Sequence, residues 1–253
     1  MKVLLIGELC RDETYYCNVS RISPEAPVPV ADLIWKSSAD GMAGNVNANL
    51  KAFGIEVDFV HQPLREHINK TRYVDQKSGQ HLLRADSTNP NIKPCNVDDL
   101  PDLSQYDAVV VSDYNKGFVE YKTIKWLIDN YNVKGPVRGR IFIDSKKKDL
   151  GQFEGCIVKV NEQEYNDATS VPKATIVTLG GKGSMFNDKI YPAQQVDMFD
   201  VCGAGDTFLA GLVYKHLDKA FIHECIDYAN KCAGIAVQHR GTYTLTKKDI
   251  ESL

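Results

Sequence analysis

The sequence predicts an α/β protein with three layers, α/β/α, around a mainly parallel central sheet. Two patterns carry this expectation. Short continuous apolar runs recur at Val3–Ile6, Asp107–Val111, Ile141–Ile143, Ile157–Val160 and Thr175–Leu179. Runs of that length without polar alternation mark strands buried on both faces. Between them lie stripes at helical spacing: Val46, Leu50 and Phe53; Tyr121, Ile124, Leu127, Ile128 and Tyr131; Phe208, Leu209, Leu212 and Val213. Strands alternating with helices imply a parallel sheet with helices on its faces. A chain of 253 residues is enough for one substantial core, so residues 1–253 are expected to form one domain.

The totals narrow the function classes. Apolar residues make up 43% and charged residues 25%, ordinary for a soluble globular protein. A net charge of −3 argues against a nucleic-acid binder driven by phosphate contacts. The seven cysteines are scattered and form no C-x-x-C pair, which favours reduced thiols and a cytoplasmic setting over a disulfide framework or zinc site. No apolar run approaches the length of a membrane span.

The elements follow in order. Val3–Ile6 ends at Gly7, and Asp12 comes shortly after. Ligands of open α/β sheets bind beyond the carboxyl ends of strands, where Asp12 either grips hydroxyls or caps a turn. Prolines 24, 27 and 29 exclude a helix over Arg21–Val30 and favour extended or edge-strand geometry. The stripe from Val46 to Phe53 stops at Gly54, a C-terminal helix signal. Thr71–Val74 and Gln80–Arg84 flank Asp75–Gly79 as a hairpin. Phe221, Cys225, Tyr228, Cys232 and Ile235 read as a buried helical stripe. Asn161-Glu-Gln-Glu164 reads as a helix N-terminus, with Asn161 as cap and Glu164 at the third position.

The chemistry concentrates in Asp200-Val-Cys-Gly-Ala-Gly-Asp-Thr-Phe208. Glycines open a helix there, so the N–H groups of Gly203, Ala204 and Gly205 are expected to be free and to form an anion site. A carboxylate beside an arriving anion is out of place as a mere charge. It makes sense if Asp206 takes the proton of a hydroxyl that attacks phosphorus. Read alone, Gly-Ala-Gly-Asp is more often a loop with an acidic residue that favours the helix dipole.

The nine-residue stretch resembles the C-terminal signature of the ribokinase-like (PfkB) sugar kinases, with Cys202 where threonine is usual. Gly41-Met-Ala-Gly-Asn45 is similar to the N-terminal signature of that family, with Met42 in place of its second glycine. Within the family, Arg21-Ile-Ser-Pro-Glu-Ala-Pro-Val-Pro-Val30 and Leu82-Leu-Arg-Ala-Asp86 resemble the D-glycero-β-D-manno-heptose-7-phosphate 1-kinases. The resemblance implies a ribokinase-like fold with a small β-sheet lid from about residues 12–35 and 70–86, pairing two subunits into a homodimer. Only His61–Asn69 stands where family members carry a longer strand–helix segment, so that segment is expected to be shortened or lost.

What the resemblance implies for the site is specific. Asp206 is the base, and Gly203, Ala204 and Gly205 hold the transferred phosphoryl group. Asp12, Gly41, Asn45, Arg84, Asp113 and Lys116 face the sugar phosphate. Lys146, Asn161, Thr178, Gly180, Gly183 and Asn230 line the ATP site. Asn161 and Glu164 act on Mg²⁺ through water, and Asp200 helps to hold a monovalent cation such as K⁺. The expected activity is ATP-dependent phosphorylation of the C1 hydroxyl of the heptose 7-phosphate. Competing expectations are a kinase for another sugar, a non-catalytic sugar- or nucleotide-binding protein, and a structural module with a decayed site. Family enzymes often carry a fused nucleotidyltransferase, and with the sequence stopping at Leu253 that activity is expected from another protein.

Overall fold

The computed structural model describes residues 1–89, 91–131 and 140–253. In chain order the strands are β1 (Lys2–Gly7), β2 (Leu9–Ile22), β3 (Pro29–Met42), β4 (Glu56–Val60), β5 (Ile68–Asp75), β6 (His81–Thr88), β7 (Ala108–Asp113), β8 (Ile141–Ser145), β9 (Ile157–Asn161), β10 (Thr175–Thr178), β11 (Ser184–Phe186) and β12 (Lys189–Tyr191). The helices are α1 (Ala43–Ala52), α2 (Tyr121–Tyr131), α3 (Glu162–Asp167), α4 (Ala204–Leu217), α5 (Ile222–Ala236) and α6 (Lys247–Glu251).

Eight strands form the main sheet in the order β12-β11-β10-β9-β8-β7-β1-β4. Pairing is parallel from β4 through β10, and β11 and β12 add antiparallel at one edge. Alternation along β1 sends its side chains to two cores. Val3 and Leu5 pack with Leu50 of α1, Phe208 and Leu212 of α4, and Cys225 and Ala229 of α5. Leu4 and Ile6 join Ile124 and Leu127 of α2 on the other face. Leu50 is fully buried, so truncating it to alanine is worth about 2–5 kcal/mol. This is the three-layer α/β/α arrangement that the apolar runs predict.

A second sheet of four strands, ordered β3-β2-β5-β6, stands apart from the first. Its β2–β3 and β5–β6 pairs are antiparallel, and β2–β5 is parallel. Only Glu8 separates β1 from β2, and β3 runs directly into α1. The proline-rich stretch divides as the prolines demand. Arg21 and Ile22 end β2, Pro29 opens the edge strand β3, and the turn between closes through Ser23 N–H to Val28 O at 2.8 Å.

Residues 61–67 join β4 directly to β5, and β4 is the edge of the main sheet among the described residues. The short link is held by Gln62, which is buried. Its amide donates to Leu9 O at 2.6 Å, and its carbonyl oxygen accepts from Leu9 N–H at 3.0 Å, as a neighbouring strand would.

One expected core residue is not in the core. Phe221 is 74% exposed. It is the cap residue before α5, where the chain is still extended, so its side chain has left the helical stripe. Cys225, Tyr228 and Cys232 are buried as expected, while Ile235 is partly buried.

Candidate active site

The N-terminus of α4 is shaped by Gly203. Its φ of +77° is left-handed, and a Cβ there would lie 2.5 Å from Nδ2 of Asn45. Both facts restrict the position to glycine. Of the three N–H groups expected to be free, that of Ala204 is not: it makes a long 3.3 Å bond to Val201 O, because the loop curls before the helix starts. Among the described residues, those of Gly203 and Gly205 have no hydrogen-bond partner. Asp206 follows in the first turn of α4 and is buried.

Asp206 is held on both oxygens. Asn45 Nδ2 donates to Oδ2 at 3.1 Å, and the Tyr114 hydroxyl donates to Oδ1 at 2.9 Å. Asn45 is buried at the start of α1 and its Oδ1 accepts from Asn49 Nδ2 at 3.2 Å. Burial, and then the nearby Asp144 carboxylate, push the Asp206 carboxyl up to about 6; Asn45, Lys159 and Tyr114 act in the opposite direction. Burial prevails. Lys159 Nζ lies 2.6 Å from Asp144 Oδ2 and 2.9 Å from where a Gly205 Cβ would stand. Burial also raises the Asp144 carboxyl, whereas for Lys159 it is overcome by Asp144, which keeps the ammonium charged. The result is a shielded carboxylate poised near neutrality beside free N–H groups and a buried cation. Such a group can accept a hydroxyl proton while the helix terminus and Lys159 face developing negative charge.

A cleft of about 560 Å³ opens between the second sheet and the loops around 199–200 and 240–242. Asp12, Thr14, Arg72, His81, Asp200 and Arg240 are among its lining residues; Asp206 is buried and is not among them. Asp12 Oδ1 accepts from Arg72 Nη1 at 2.9 Å. Asp12 Oδ2 stands 2.1 Å from the point a Gly41 Cβ would occupy, so a side chain at 41 would expel the carboxylate.

Other expected site residues occupy different settings. Arg84 is half exposed, and its guanidinium is clamped by Asp86 through two 2.8 Å bonds. Asp113 is buried at the end of β7, accepting from Ser145 Oγ at 2.6 Å and from Asn115 N–H, with Lys147 at 3.3 Å. Lys116 has an exposed side chain, and its N–H donates to Glu8. Asn161 and Glu164 form the capping box that opens α3. Glu164 also receives Lys146 at 2.5 Å. Burial opposes its charge, but the Asn161 N–H and Lys146 hold its carboxyl below the usual range, so it stays ionised. Thr178 donates its hydroxyl to Val160 O, and Asn230, buried, donates to Tyr191 O at 3.0 Å. Gly180 faces open space, whereas Gly183 packs against the Tyr191 backbone. Asp200 accepts from the N–H groups of Cys202 and Gly241, both at 2.9 Å, tying the anion loop to the loop at 241.

Tyr114, Asp144, Lys159 and Arg72 join the site without having been given a role from the sequence. Asp144 follows the apolar residues of β8, and Lys159 lies in the middle of β9. A lysine inside the apolar run Ile157–Val160 was the one available signal.

Residues 154–249 match the family model described as pfkB family carbohydrate kinase. Over 99% of its length the chain is 27% identical to the bifunctional protein HldE of Sulfurimonas denitrificans, of which it covers 63%. It is 29% identical to the protein of that name from Campylobacter fetus, covering 100% of the chain and 66% of the relative. The chain thus spans less than two thirds of the length of these relatives, and the alignment to the Sulfurimonas protein runs over 307 positions, more than the 253 residues present here. Among solved structures, ribokinase from Thermotoga maritima superposes with a TM-score of 0.70 at 16% identity, covering 99% of this chain and 98% of that one. Phosphofructokinase-2 from Escherichia coli superposes with a TM-score of 0.72 at 15% identity, with 99% and 96% covered. Residues 154–249 are thus similar to the pfkB carbohydrate kinases, the relatives align along nearly the whole of this chain, and the solved structures show that the chain has the ribokinase fold.

Proposed function

We propose that this chain transfers the γ-phosphoryl group of ATP to the C1 hydroxyl of D-glycero-β-D-manno-heptose 7-phosphate. The observation that carries the kinase reading is Asp206, buried at the start of α4 with its carboxyl pushed up to about 6. Asp206 accepts the hydroxyl proton as the sugar oxygen bonds to the γ-phosphorus and the bond to the β-phosphate oxygen breaks, releasing ADP. The N–H groups of Gly203 and Gly205 and the Lys159 ammonium face the charge on the transferred group. The heptose phosphate is favoured by the resemblance of residues 21–30 and 82–86 to that class of kinase. Asp12 and Asn45 are the groups for sugar hydroxyls, and Arg72 and Arg240 in the cleft suit an anionic end.

Mg²⁺ would supply charge neutralisation at the phosphates. Glu164, whose carboxyl is held below the usual range, and Asn161 are the residues that would orient the ion's waters. A monovalent ion beside Asp200 has to share a carboxylate that already accepts two N–H groups. A homodimer through the second sheet fits the exposed Leu33, Ile34 and Trp35 on its edge strand β3. Among the described residues no helix is long and apolar enough to cross a membrane.

The deciding experiment is ADP release with Mg-ATP across the heptose 7-phosphate, fructose 6-phosphate, ribose, fructose and adenosine. Turnover confined to the heptose phosphate supports the proposal. Turnover on another member moves the specificity while keeping the kinase, and ATP binding without turnover favours a binding protein.

A further inference from the structure

Glu8 is fully buried in the single-residue joint between β1 and β2. Such a carboxylate needs partners. Its Oε2 accepts from the N–H of Tyr114 at 2.8 Å, and its Oε1 accepts from those of Lys116 at 3.2 Å and Phe118 at 3.3 Å. Three bonds from one carboxylate thus fix the loop that leaves β7. The loop is bent by Asn115, whose φ is +54°. Tyr114, on that loop, places its hydroxyl on Asp206 at 2.9 Å. Its ring is flanked by Lys70 of the second sheet and Lys146, the residue after β8, each Nζ 5.2 Å from the ring centre. The ring therefore sits between a lysine of the second sheet and one just past β8, while its hydroxyl touches Asp206.

We propose that Tyr114 is a positioning residue for Asp206, held in place by Glu8 through the 114–118 loop. The proposal rests on Asp206 being the base of the kinase reaction. A tyrosine hydroxyl donating to one oxygen fixes the rotation of the carboxyl group and leaves a lone pair on the other free for the incoming hydroxyl. It also favours the charged form. The other ionisable groups facing Asp206 are Asp144, Lys159 and Cys10, whose thiol is pushed up to about 12 by burial and stays protonated. None of them is altered by removing the Tyr114 oxygen.

The test compares Tyr114→Phe, Glu8→Gln and Asp206→Asn in the full chain. Tyr114→Phe keeps the ring and removes only the hydroxyl. It is expected to lower kcat by about tenfold or more with sugar KM nearly unchanged, since a charge-assisted hydrogen bond is lost. It should also move the acid limb of kcat/KM to higher pH, which a merely structural tyrosine does not do. Glu8→Gln, which sets an amide N–H against backbone N–H groups, shifts the limb in the same direction with Tyr114 intact. An infrared titration of the carboxyl band that disappears in Asp206→Asn reads the same shift without any sugar. If that band titrates at one pH in the parent and in Tyr114→Phe, the positioning role is overturned. If Asp206→Asn turns over normally, the base assignment itself has failed.

Discussion

Asn45 Nδ2 lies 3.1 Å from Asp206 Oδ2, and this bond joins the first turns of two helices 161 residues apart in the chain. The same amide reaches Gly203 O at 3.4 Å. One side chain from the N-terminal half thus organises both the acid and the glycine turn that presents it. Asn45→Leu removes the donor, so the charged form of Asp206 loses one of its supports. The acid limb of the pH profile, expected near pH 6 in the parent from a carboxyl at about 6, should move upward, and kcat should fall. Loss of sugar affinity with an unmoved acid limb would show that Asn45 serves the sugar alone.

Asp206 should also burden the fold. Its carboxyl is raised from 3.8 to about 6, so the folded protein holds a proton that the unfolded chain releases. Below pH 3.8 both states are protonated and nothing is lost. As pH rises towards 6 stability is lost, and above 6 the full penalty applies, on the order of 3 kcal/mol for two units. Asp206→Asn removes that titration. It should stabilise the protein at pH 8 by roughly 1–3 kcal/mol, since the amide keeps only part of the hydrogen bonding, while giving no such gain near pH 3.5. Denaturant melts at the two pH values measure this directly. An equal effect at both would mean the carboxyl is not shifted. Turnover should drop by about a hundredfold to ten-thousandfold, the range for a lost general base.

Gly203→Ala meets two obstacles. The left-handed φ of +77° costs an alanine about 1–2 kcal/mol, and its Cβ would press on Asn45 Nδ2 at 2.5 Å. Asn45 then has to rotate away from Asp206, so turnover falls with stability. The contact is separable by a double-mutant cycle. With Asn45→Ala already in place the clash is gone, and Gly203→Ala should cost less stability than it does in the parent. Strict additivity would show that backbone strain alone sets the cost.

What the sequence revealed and what it hid follow from distance along the chain. Asp206 and its glycines are local: five residues in register with a family signature at a helix start are enough to propose a role. The strands of the main sheet were legible because burial on both faces leaves unbroken apolar runs. Tyr114 was not, since its role depends on a hydroxyl meeting a carboxylate 92 residues away. Asp144 and Lys159 were hidden similarly, as a buried pair between adjacent parallel strands. Arg84 is a different case. A guanidinium on a strand of the second sheet suits a phosphate by chemistry, but Asp86 two residues on faces the same side of the strand and clamps it. Arg72, on the neighbouring strand, lines the cleft, as does Arg240.

Met42 carries the last prediction. It sits at the joint of β3 and α1 with φ +56° and ψ −128°, a conformation that glycine adopts freely and other residues do not. Such backbone strain costs about 1–3 kcal/mol. Yet Met42 is 3% exposed and packs with Cys10, Ile68 and Tyr114. Removing a buried methionine side chain costs about 2–5 kcal/mol, so packing outweighs strain at this position. Both Met42→Gly and Met42→Ala should therefore destabilise the protein. Alanine should be the worse, because it loses the packing and keeps the strained backbone, whereas glycine loses the packing and relieves the strain. Tyr114 loses a neighbour in either case, so turnover should fall in both. The order of denaturation midpoints, parent above glycine above alanine, is the measurement. A glycine variant more stable than the parent would mean that the strain exceeds everything the methionine side chain gains from its contacts.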